Sequence, residues 1–438
     1  MKKRIMLTAA IAAIALVAVA CTSGDSSSSS DSGPIQLTMW HGYGKVIDNQ
    51  GQTNYEAKSL TDLVDQYNAM QSDVHVNLEY AAVNDAALQK LTVGLQGGLQ
   101  PDIAYQYGTS MPQLATAPNI MDLTDRAQDQ AFDWNDFVEG ARSAATVEGH
   151  VYGIPALIDN LAIVYNKKLF DAAGIGYPTA DWTWDDFRTA AQTLTDPAKH
   201  QYGFAFPVDG TEDTTWHYDA MLWEGGGDIL NADNTQAAFN SPAGVAALTT
   251  LQQMAVTDQS VFLDQQNVGK IDQLFNSDYI GMLVTGPWAL SAYPDVTYGV
   301  QIMPSYPGGS HATIAGPDMW VLFDNGNGRA DASWQFITWL TAAEQIKQDS
   351  MTAGHLPTRT SVGEAPGFVS AFDAKFPGEG LFVKNLTNVT KARPVLPTYD
   401  EISQIMATAV VKVMLGQAEP QQALDDAAQQ VNTVLAGG

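Results

Sequence analysis

Hydrophobic and polar residues alternate in short stretches near the start of the chain, and longer stretches with helical spacing lie between them. Strands are predicted at residues 36–40, 74–80 and 101–105. Helices are predicted over 59–70 and 85–95, each with leucines along one face. This order of strand, helix, strand, helix, strand is typical of a mostly parallel sheet with helices on both faces.

The same order of elements recurs further along the chain. Strands are predicted at 163–166, 202–206 and 280–284, and helices at about 184–193 and 216–223. The sequence contains no repeating unit of fixed length. The pattern therefore predicts two α/β lobes and excludes a solenoid.

Aromatic and polar residues follow the predicted strands. In sheets of this kind, ligand sites lie at the carboxyl ends of the strands. Trp40 and Tyr43 follow the first strand, Gln106 and Tyr107 follow the third, and Trp288 follows a Gly-Pro pair after 280–284. These positions are candidates for ligand contact.

Composition narrows the class of protein. The chain has 438 residues, of which 45% are hydrophobic and 16% charged. This is enough for two hydrophobic cores, and it excludes a disordered chain and a membrane protein with many spans. Lys and Arg number 21 against 48 Asp and Glu, a net charge of −27. Such a charge repels nucleic acid and anionic lipid surfaces, so neither is an expected partner.

The N-terminal residues 1–20 have the pattern of an export signal. Basic residues at 2–4 precede an apolar run that ends in small residues. The junction Ala-Val-Ala-Cys resembles the bacterial lipobox, in which the cysteine becomes the lipid-modified first residue after cleavage. We therefore expect a lipid on Cys21; the alternative is an ordinary signal peptide with an incidental cysteine.

Residues 21–33 are rich in serine and predict a flexible tether between the lipid and a folded body that begins near residue 34. The protein would then be extracytoplasmic, held at the outer face of the cell membrane by the lipid alone. Cys21 is the only cysteine, which excludes an internal disulfide framework and any site with several thiolates.

Most of the sequence motifs that indicate catalysis are not found. No histidine pair has the helical zinc spacing, and residues 308–312 fail the nucleophile-elbow pattern at their last position. There is no Walker loop and no dinucleotide-binding glycine pattern. No metal or cofactor is therefore expected, while a pair of glycosidase carboxylates stays possible because acidic residues are plentiful.

The ten tryptophans and sixteen tyrosines are the most distinctive feature of the composition. An aromatic ring stacks on the apolar face of a sugar, and charged side chains bind its hydroxyl groups. Helical spacing among apolar neighbours predicts a core position for five tryptophans: Trp134, Trp182, Trp184, Trp334 and Trp339. Trp288 is expected to contact ligand, and either role is open for Trp216 and Trp223.

A series of short motifs along the whole body resembles the extracellular solute-binding proteins of bacterial ABC importers for carbohydrates. This family includes the maltose-binding and glycerol-3-phosphate-binding proteins. The motifs are LTMWHG at 37–42, GLQPDI at 98–103, YGIP at 152–155, YNKKLF at 165–170, GPW at 286–288, HLPT at 355–358 and PQQAL at 420–424. Their order over some four hundred residues carries the resemblance.

The resemblance implies a two-lobe, type II periplasmic-binding-protein-like α/β fold. In this fold the ligand is held in a cleft between the lobes, each a mostly parallel sheet flanked by helices. Crossings between the lobes fall near 158–160, 315–318 and 356–358. Lobe one would comprise 34–157 with 318–358, and lobe two 158–317 with 359–438. The expected partners are a carbohydrate and the transmembrane permease subunits, and the protein itself is expected to be a monomer.

The resemblance also implies roles for particular residues. Trp288 stands where the maltose binder stacks a tryptophan on its sugar, and Asp159 stands where that protein uses a glutamate for hydroxyl groups. Asp213 and Trp216 lie in a segment that supplies a further acid and aromatic residue, and Asp318 lies at the second crossing. Gln106 and Tyr107 replace a tryptophan of the maltose binder, which argues against maltose itself.

Arg393 lies where the glycerol-phosphate binder uses an arginine for its anion. It could equally bind a sugar hydroxyl or a structural carboxylate. The sequence thus favours a binding protein for an oligosaccharide, delivered to a permease for uptake, and not an enzyme. The alternatives are a secreted glycosidase and a binder of a sugar phosphate.

Overall fold

The structure of the protein is a computed structural model that describes residues 33–47, 51, 53–81, 84–265 and 269–437. Pro34 is the first residue of the compact body. The predicted signal peptide, Cys21 and nearly all of the tether lie outside the described residues. Among the helices that are described, none is long and apolar enough to cross a membrane.

Each of the six predicted strands is present to within two residues at each end, among twelve strands in the described residues. The twelve are β1 Ile35–His41, β2 Val74–Tyr80, β3 Ile103–Tyr107, β4 Thr146–Val147, β5 His150–Val151, β6 Ile154–Leu157, β7 Ala162–Asn166, β8 Tyr202–Pro207, β9 Val261–Asp264, β10 Ile280–Thr285, β11 Tyr298–Gln301 and β12 Asp318–Leu322.

The longer strands form two five-stranded sheets. Sheet I has the order β2-β1-β3-β12-β6, and sheet II has the order β11-β7-β10-β8-β9. In sheet I, β1 is parallel to β2 and β3, whereas β12 is antiparallel to β3 and β6. In sheet II, β8 is parallel to β9 and β10, whereas β7 is antiparallel to β10 and β11. Each sheet is therefore mixed. The antiparallel strand in each, β12 in sheet I and β7 in sheet II, is the one that the chain enters from the other sheet.

Helices cover the sheets. They are α1 Tyr55–Met70, α2 Asn84–Gly97, α3 Met111–Leu114, α4 Thr124–Ala127, α5 Glu139–Ala144, α6 Lys167–Ala173, α7 Trp184–Leu194, α8 Glu212–Glu224, α9 Pro242–Gln252, α10 Gly269–Asn276, α11 Arg329–Leu340, α12 Ala343–Ala353, α13 Thr360–Gly363, α14 Phe368–Lys375, α15 Glu379–Asn385, α16 Tyr399–Met414 and α17 Pro420–Gly437.

Side-chain caps fix the starts of several helices. Asn54 accepts hydrogen bonds from the amides of Glu56 and Ala57 at the start of α1, at 3.1 and 3.2 Å. Thr183 and Asp186 form a reciprocal capping box at the start of α7. Such caps pair amides that would otherwise lack a partner in the first turn.

Two crossings connect the sheets directly. The first, residues 158–161, leads from β6 to β7, and the second leads from β11 to β12. They are joined to each other where Thr313 Oγ1 donates to the carbonyl of Leu161, at 2.8 Å. Asn385 Nδ2 donates to the same carbonyl at 3.0 Å and to Asn160 Oδ1 at 2.8 Å. A buried amide network therefore holds both crossings at the edge of sheet II.

The apolar cores follow the two sheets. One cluster packs sheet II against α7, α8, α9, α16 and α17, and two others pack the faces of sheet I. A fourth cluster joins residues from both crossings with α12 to α15. We refer to the bodies around sheets I and II as lobe one and lobe two.

Candidate ligand-binding cleft

Asp159 lies in the first crossing and contacts the second. Its Oδ1 accepts a hydrogen bond from the backbone amide of Gly316 at 2.8 Å. A Cβ at position 316 would lie 2.8 Å from the same oxygen, so only glycine leaves room for this contact. Burial raises the pKa of Asp159 to about 7, although the Gly316 amide and the positive charge of Arg393 oppose the shift.

Asp318 begins β12, on the lobe-one side of the second crossing. Its side chain is buried and accepts a hydrogen bond from Tyr105 Oη. Burial raises the pKa of Asp318 well above its usual value, and the negative charge of Asp159 raises it further. The two carboxyl groups are thus close enough to interact electrostatically at the point where the lobes join.

Trp288 and Trp216 form an aromatic pair on lobe two. Their ring centroids are 5.4 Å apart with an angle of 37° between the planes. Trp288 is 41% exposed, which is unusual for a tryptophan, whereas Trp216 is 8% exposed. The ring of Trp288 folds over Gly286, where a Cβ would lie 1.7 Å from Cζ3. The sequence Gly-Pro-Trp therefore places a partly exposed indole ring just after the carboxyl end of β10 in sheet II.

Trp216 connects this pair to the crossings. Its Cζ2 lies 3.4 Å from the position a Cβ would take at Gly316, next to Asp159. This is the edge of the indole that carries Nε1, and the Nε1–H group has no hydrogen-bond partner within the described residues. A buried donor without a partner costs free energy, so this N–H group has an unused hydrogen-bonding capacity beside the crossings.

Arg393 reaches the same region from the segment before α16. It lines a pocket together with Gly108, Thr109, Ala315, Pro317 and Lys391, and its side chain is 10% exposed. Nη1 donates to Glu212 Oε1 at 2.6 Å. Burial lowers the pKa of Arg393, but Glu212 and Tyr399 together raise it by more, so the net shift is upward.

Asp213 precedes Trp216 by three residues in the first turn of α8. Its Oδ1 lies 3.4 Å from Nδ1 of His217, one turn further along the helix. Burial raises the pKa of Asp213, and the charge of His217 opposes this shift. The other ring nitrogen of His217 lies 3.0 Å from the carbonyl of Val284, so this pair joins α8 to β10 behind the tryptophans.

The lobe-one candidates form a second aromatic group. Tyr43 lies 5.2 Å from Tyr105 and 5.4 Å from His355, measured between ring centroids. Tyr107 lies 6.4 Å from Tyr105 on the same strand. Because Tyr105 also donates to Asp318, this group contacts one of the two carboxyl groups at the crossings from the lobe-one side.

Three sequence candidates lie apart from these groups. Trp40 donates from Nε1 to Glu79 at 3.0 Å and lies under Lys90 of α2, so its polar atom is satisfied within lobe one. Gln106 is buried on the face of β3 opposite to Tyr105 and Tyr107. Trp223 is 2% exposed and belongs to the core of lobe two.

Of the five tryptophans that were predicted to be core residues, one is fully buried and four are partly buried against the cores. Each belongs to an apolar cluster or packs against one: Trp182 and Trp184 in lobe two, and Trp134, Trp334 and Trp339 in lobe one. In the part of the chain that the structure describes, no group of three or more His, Cys, Asp or Glu side chains could hold a metal ion.

Three residues of this region, Tyr105, Gly316 and Glu212, were not predicted from the sequence. Tyr105 had a usable signal, since it alternates with Gln106 and shares the face of Tyr107. Gly316 belongs to a Gly-Pro-Asp sequence at the second crossing, which marks a turn but not its contact. Glu212 had no signal, because its partner Arg393 is 181 residues away.

Comparison with known proteins identifies the family. The model of the bacterial extracellular solute-binding protein family matches residues 51–347. A crystal structure of the cyclic alpha-maltosyl-1,6-maltose binding protein from Arthrobacter globiformis matches with a TM-score of 0.79 and 29% identity, covering 93% of this chain and all of that one. This match confirms the predicted type II two-lobe fold.

Two relatives show the extent of the sequence similarity. A putative binding protein of Brucella abortus is 26% identical over 419 residues, 93% of this chain and 95% of its own. A maltooligosaccharide ABC transporter solute-binding lipoprotein of Streptococcus pneumoniae is 26% identical over 330 residues, 70% of this chain and 73% of its own. With a family model that matches well over half of its length, the chain belongs to the bacterial extracellular solute-binding proteins.

Proposed function

We propose that this protein captures an oligosaccharide in the cleft between its lobes and delivers it to the membrane permease of an ABC importer. The observation that carries the proposal is the exposed face of Trp288, paired with Trp216 beside Asp159. An indole face suits the apolar face of a sugar ring, and carboxylates suit its hydroxyl groups. We assign Tyr43, Tyr107, Asp213, Asp318 and Arg393 to the surroundings of this site, and leave out Trp40, Gln106 and Trp223.

Two relatives support a saccharide as the solute. The structural match from Arthrobacter globiformis is a cyclic alpha-maltosyl-1,6-maltose binding protein, and the Streptococcus pneumoniae relative is a maltooligosaccharide ABC transporter solute-binding lipoprotein. Glucose-based oligosaccharides are therefore the first compounds to test.

The protein binds its sugar without cleaving it. A glycosidase is the rival function, since Asp159 and Asp318 are two buried carboxyl groups with raised pKa values. Both of them, however, are engaged by groups of the crossings or of sheet I. Because Asp159 and Asp318 lie where the lobes join, a ligand that binds them can couple its binding to lobe closure.

We also propose the bounds of the two lobes and a lipid anchor for the mature protein. Lobe one comprises 34–157 with 318–358 and lobe two 158–317 with 359–438, in keeping with the two sheets. The mature protein is a monomer, tethered by a lipid on Cys21 to the outer face of the membrane. The lipoprotein among its relatives supports this anchor.

A thermal-shift screen followed by calorimetry tests the proposal. The panel contains maltose, maltotriose, the cyclic maltosyl-maltose and sn-glycerol 3-phosphate, since a ligand that binds only the folded state raises the melting temperature. Mass spectrometry of the sugars after incubation separates binding from hydrolysis. Stabilisation by an intact neutral saccharide supports the proposal. Shortened products, or stabilisation by the phosphate alone, would overturn it.

A further inference from the structure

We infer that Glu212 sets the charge selectivity of the cleft by neutralising Arg393, so that the site admits neutral saccharides and rejects phosphorylated ones. This inference rests on the proposed function and names the class of sugar that the site takes. An arginine in a ligand cleft usually favours anions, because its planar fork matches phosphate and carboxylate. Here that fork already has a carboxylate partner.

Glu212 is held in place from several sides. Its Oε1 accepts from Arg393 Nη1 at 2.6 Å and from Tyr399 Oη at 3.1 Å. Ser403 Oγ donates to the other oxygen, Oε2. Three donors from the segment before α16 and from α16 itself therefore fix the carboxylate against the guanidinium.

The position of Glu212 in its helix adds to this arrangement. It is the first residue of α8, directly after the N-cap Thr211. The first turn of a helix favours a negative charge because its amides point outward without carbonyl partners. The formal charges of Arg393 and Glu212 cancel, so the pair offers hydrogen-bond donors but no net positive charge.

The remaining cation that lines the pocket, Lys391, does not create an anion-binding site either. Lys391, which also lines it, donates to Asp228 Oδ2 at 2.8 Å and to the carbonyl of Gly227 at 2.6 Å. Within the described residues, neither Asp159 nor Asp318 takes part in an ion pair. An anion that entered would find both Arg393 and Lys391 already paired with carboxylates, and the ionised fraction of Asp159 would repel it.

Neutral hydroxyl groups do not face this obstacle. Apart from the bond to Glu212, the guanidinium of Arg393 makes no hydrogen bond to any described residue. Its remaining N–H groups can donate to sugar oxygens, while Asp159 accepts from sugar hydroxyls. A neutral polyol thus satisfies both partners.

The test compares Glu212→Gln with the parent protein. Glutamine keeps the shape and the acceptor oxygen but removes the charge, so Arg393 becomes a net cation. Calorimetry measures the binding of sn-glycerol 3-phosphate, maltose 1-phosphate and, as the neutral reference, maltose. The variant is expected to bind the two phosphates at least about tenfold more tightly than the parent does. Glu419→Gln removes the same charge from an exposed site before α17 and is expected to bind like the parent.

A double variant identifies the cation that is responsible. Glu212→Gln with Arg393→Gln is expected to lose the gained affinity for the phosphates. Circular dichroism establishes that each variant is folded, and Glu212→Ala replaces Glu212→Gln should the latter fail to fold. Unchanged phosphate affinity in a folded Glu212 variant, or an equal gain in Glu419→Gln, would overturn the inference.

The outcome for the parent protein separates this inference from the proposed function. If the parent binds a neutral saccharide and the Glu212 variants gain no phosphate affinity, the inference fails and the function stands. If the parent binds no saccharide and the variants gain phosphate affinity, the charge role of Glu212 stands and the proposed function fails. Tight phosphate binding by the parent would overturn the inference, and phosphate binding without any saccharide binding would overturn both.

Discussion

The carboxylate of Asp159 accepts a hydrogen bond from the amide of Gly316, and this contact links the two crossings between the sheets. The position of the Asp159 side chain in the first crossing therefore depends on the position of Gly316 in the second. If a sugar hydroxyl binds the same carboxylate, ligand binding and the relative position of the crossings become coupled. A ligand changes a conformational equilibrium only through such differential contacts.

Gly316→Ala tests this coupling. The added Cβ would lie 2.8 Å from Asp159 Oδ1, so the carboxylate has to turn away and lose the amide bond. We expect sugar affinity to fall about five- to thirtyfold, as for the loss of one charge-assisted contact. The free energy of unfolding should fall by only about 1 kcal/mol, because the substitution removes one hydrogen bond. Calorimetry and urea unfolding measure the two effects, and an equal affinity in the variant would contradict the coupling.

The pH dependence of binding follows from the pKa of Asp159, which burial raises to about 7. Sugar hydroxyls donate more strongly to the ionised carboxylate, so affinity should increase as pH rises through 7 and level off above it. Below pH 7 the loss can reach about tenfold per unit, because the ionised fraction falls by that factor. The stability of the free protein should change in the opposite sense. The folded state holds this proton more tightly than the unfolded state, so the contribution of Asp159 decreases as pH rises from about 4 to 7.

Asp159→Asn is the matched variant for this measurement. The amide keeps the shape and cannot titrate, so the step in affinity near pH 7 should disappear while binding is weaker at pH 8. Calorimetry from pH 5 to 8 in parent and variant measures both. A step that persists in the variant would assign the titration to another group, with Asp318 the first candidate.

The order of strands and helices was predictable from the sequence because the pattern is local. Each alternating stretch became a strand, and the Gly-Pro-Trp sequence after β10 placed Trp288 at an exposed strand end. The five tryptophans with helical spacing pack against the cores for the same reason. In these cases the neighbours along the chain decide the environment of the side chain.

The site was less predictable because its contacts join residues far apart in sequence. Arg393 pairs with Glu212 and Tyr105 with Asp318, and each pair depends on how the lobes and sheets pack. Trp40 shows the converse: its place after an alternating stretch suggested ligand contact, but α2 and β2 provide partners for its ring and its Nε1. Proximity to a strand end is therefore not sufficient for a role in the cleft.

The lipid anchor is tested by Cys21→Ala. If Cys21 carries the lipid, its loss removes both the acyl chains and the processing site. We expect the variant to leave the membrane fraction for the medium or to remain as an unprocessed precursor. Fractionation with immunoblotting and mass spectrometry of the N-terminus measures both outcomes. Parent-like processing and membrane retention would exclude a lipid at this residue.

Lobe closure is tested by small-angle X-ray scattering. A ligand that contacts Trp288 on lobe two and the Asp318 region on lobe one should stabilise the closed form. We expect a smaller radius of gyration at saturating sugar, with the crossings bending beside the network of Asn160, Asn385 and Thr313. An unchanged scattering curve at a saturation proven by calorimetry would argue against hinge closure.

Trp288→Ala tests the proposed sugar platform directly. The ring is 41% exposed and stacks only in part on Trp216, so its removal should affect folding little and binding strongly. Loss of an aromatic anchor of this kind costs about 2 kcal/mol or more, which corresponds to at least about thirtyfold weaker binding. Trp182→Phe is the control, since Trp182 packs against the core of lobe two. Calorimetry with the best sugar of the screen, beside circular dichroism, compares the two variants. Parent-like affinity in folded Trp288→Ala would exclude stacking on this ring, and a loss confined to Trp182→Phe would reverse the assignment of core and site.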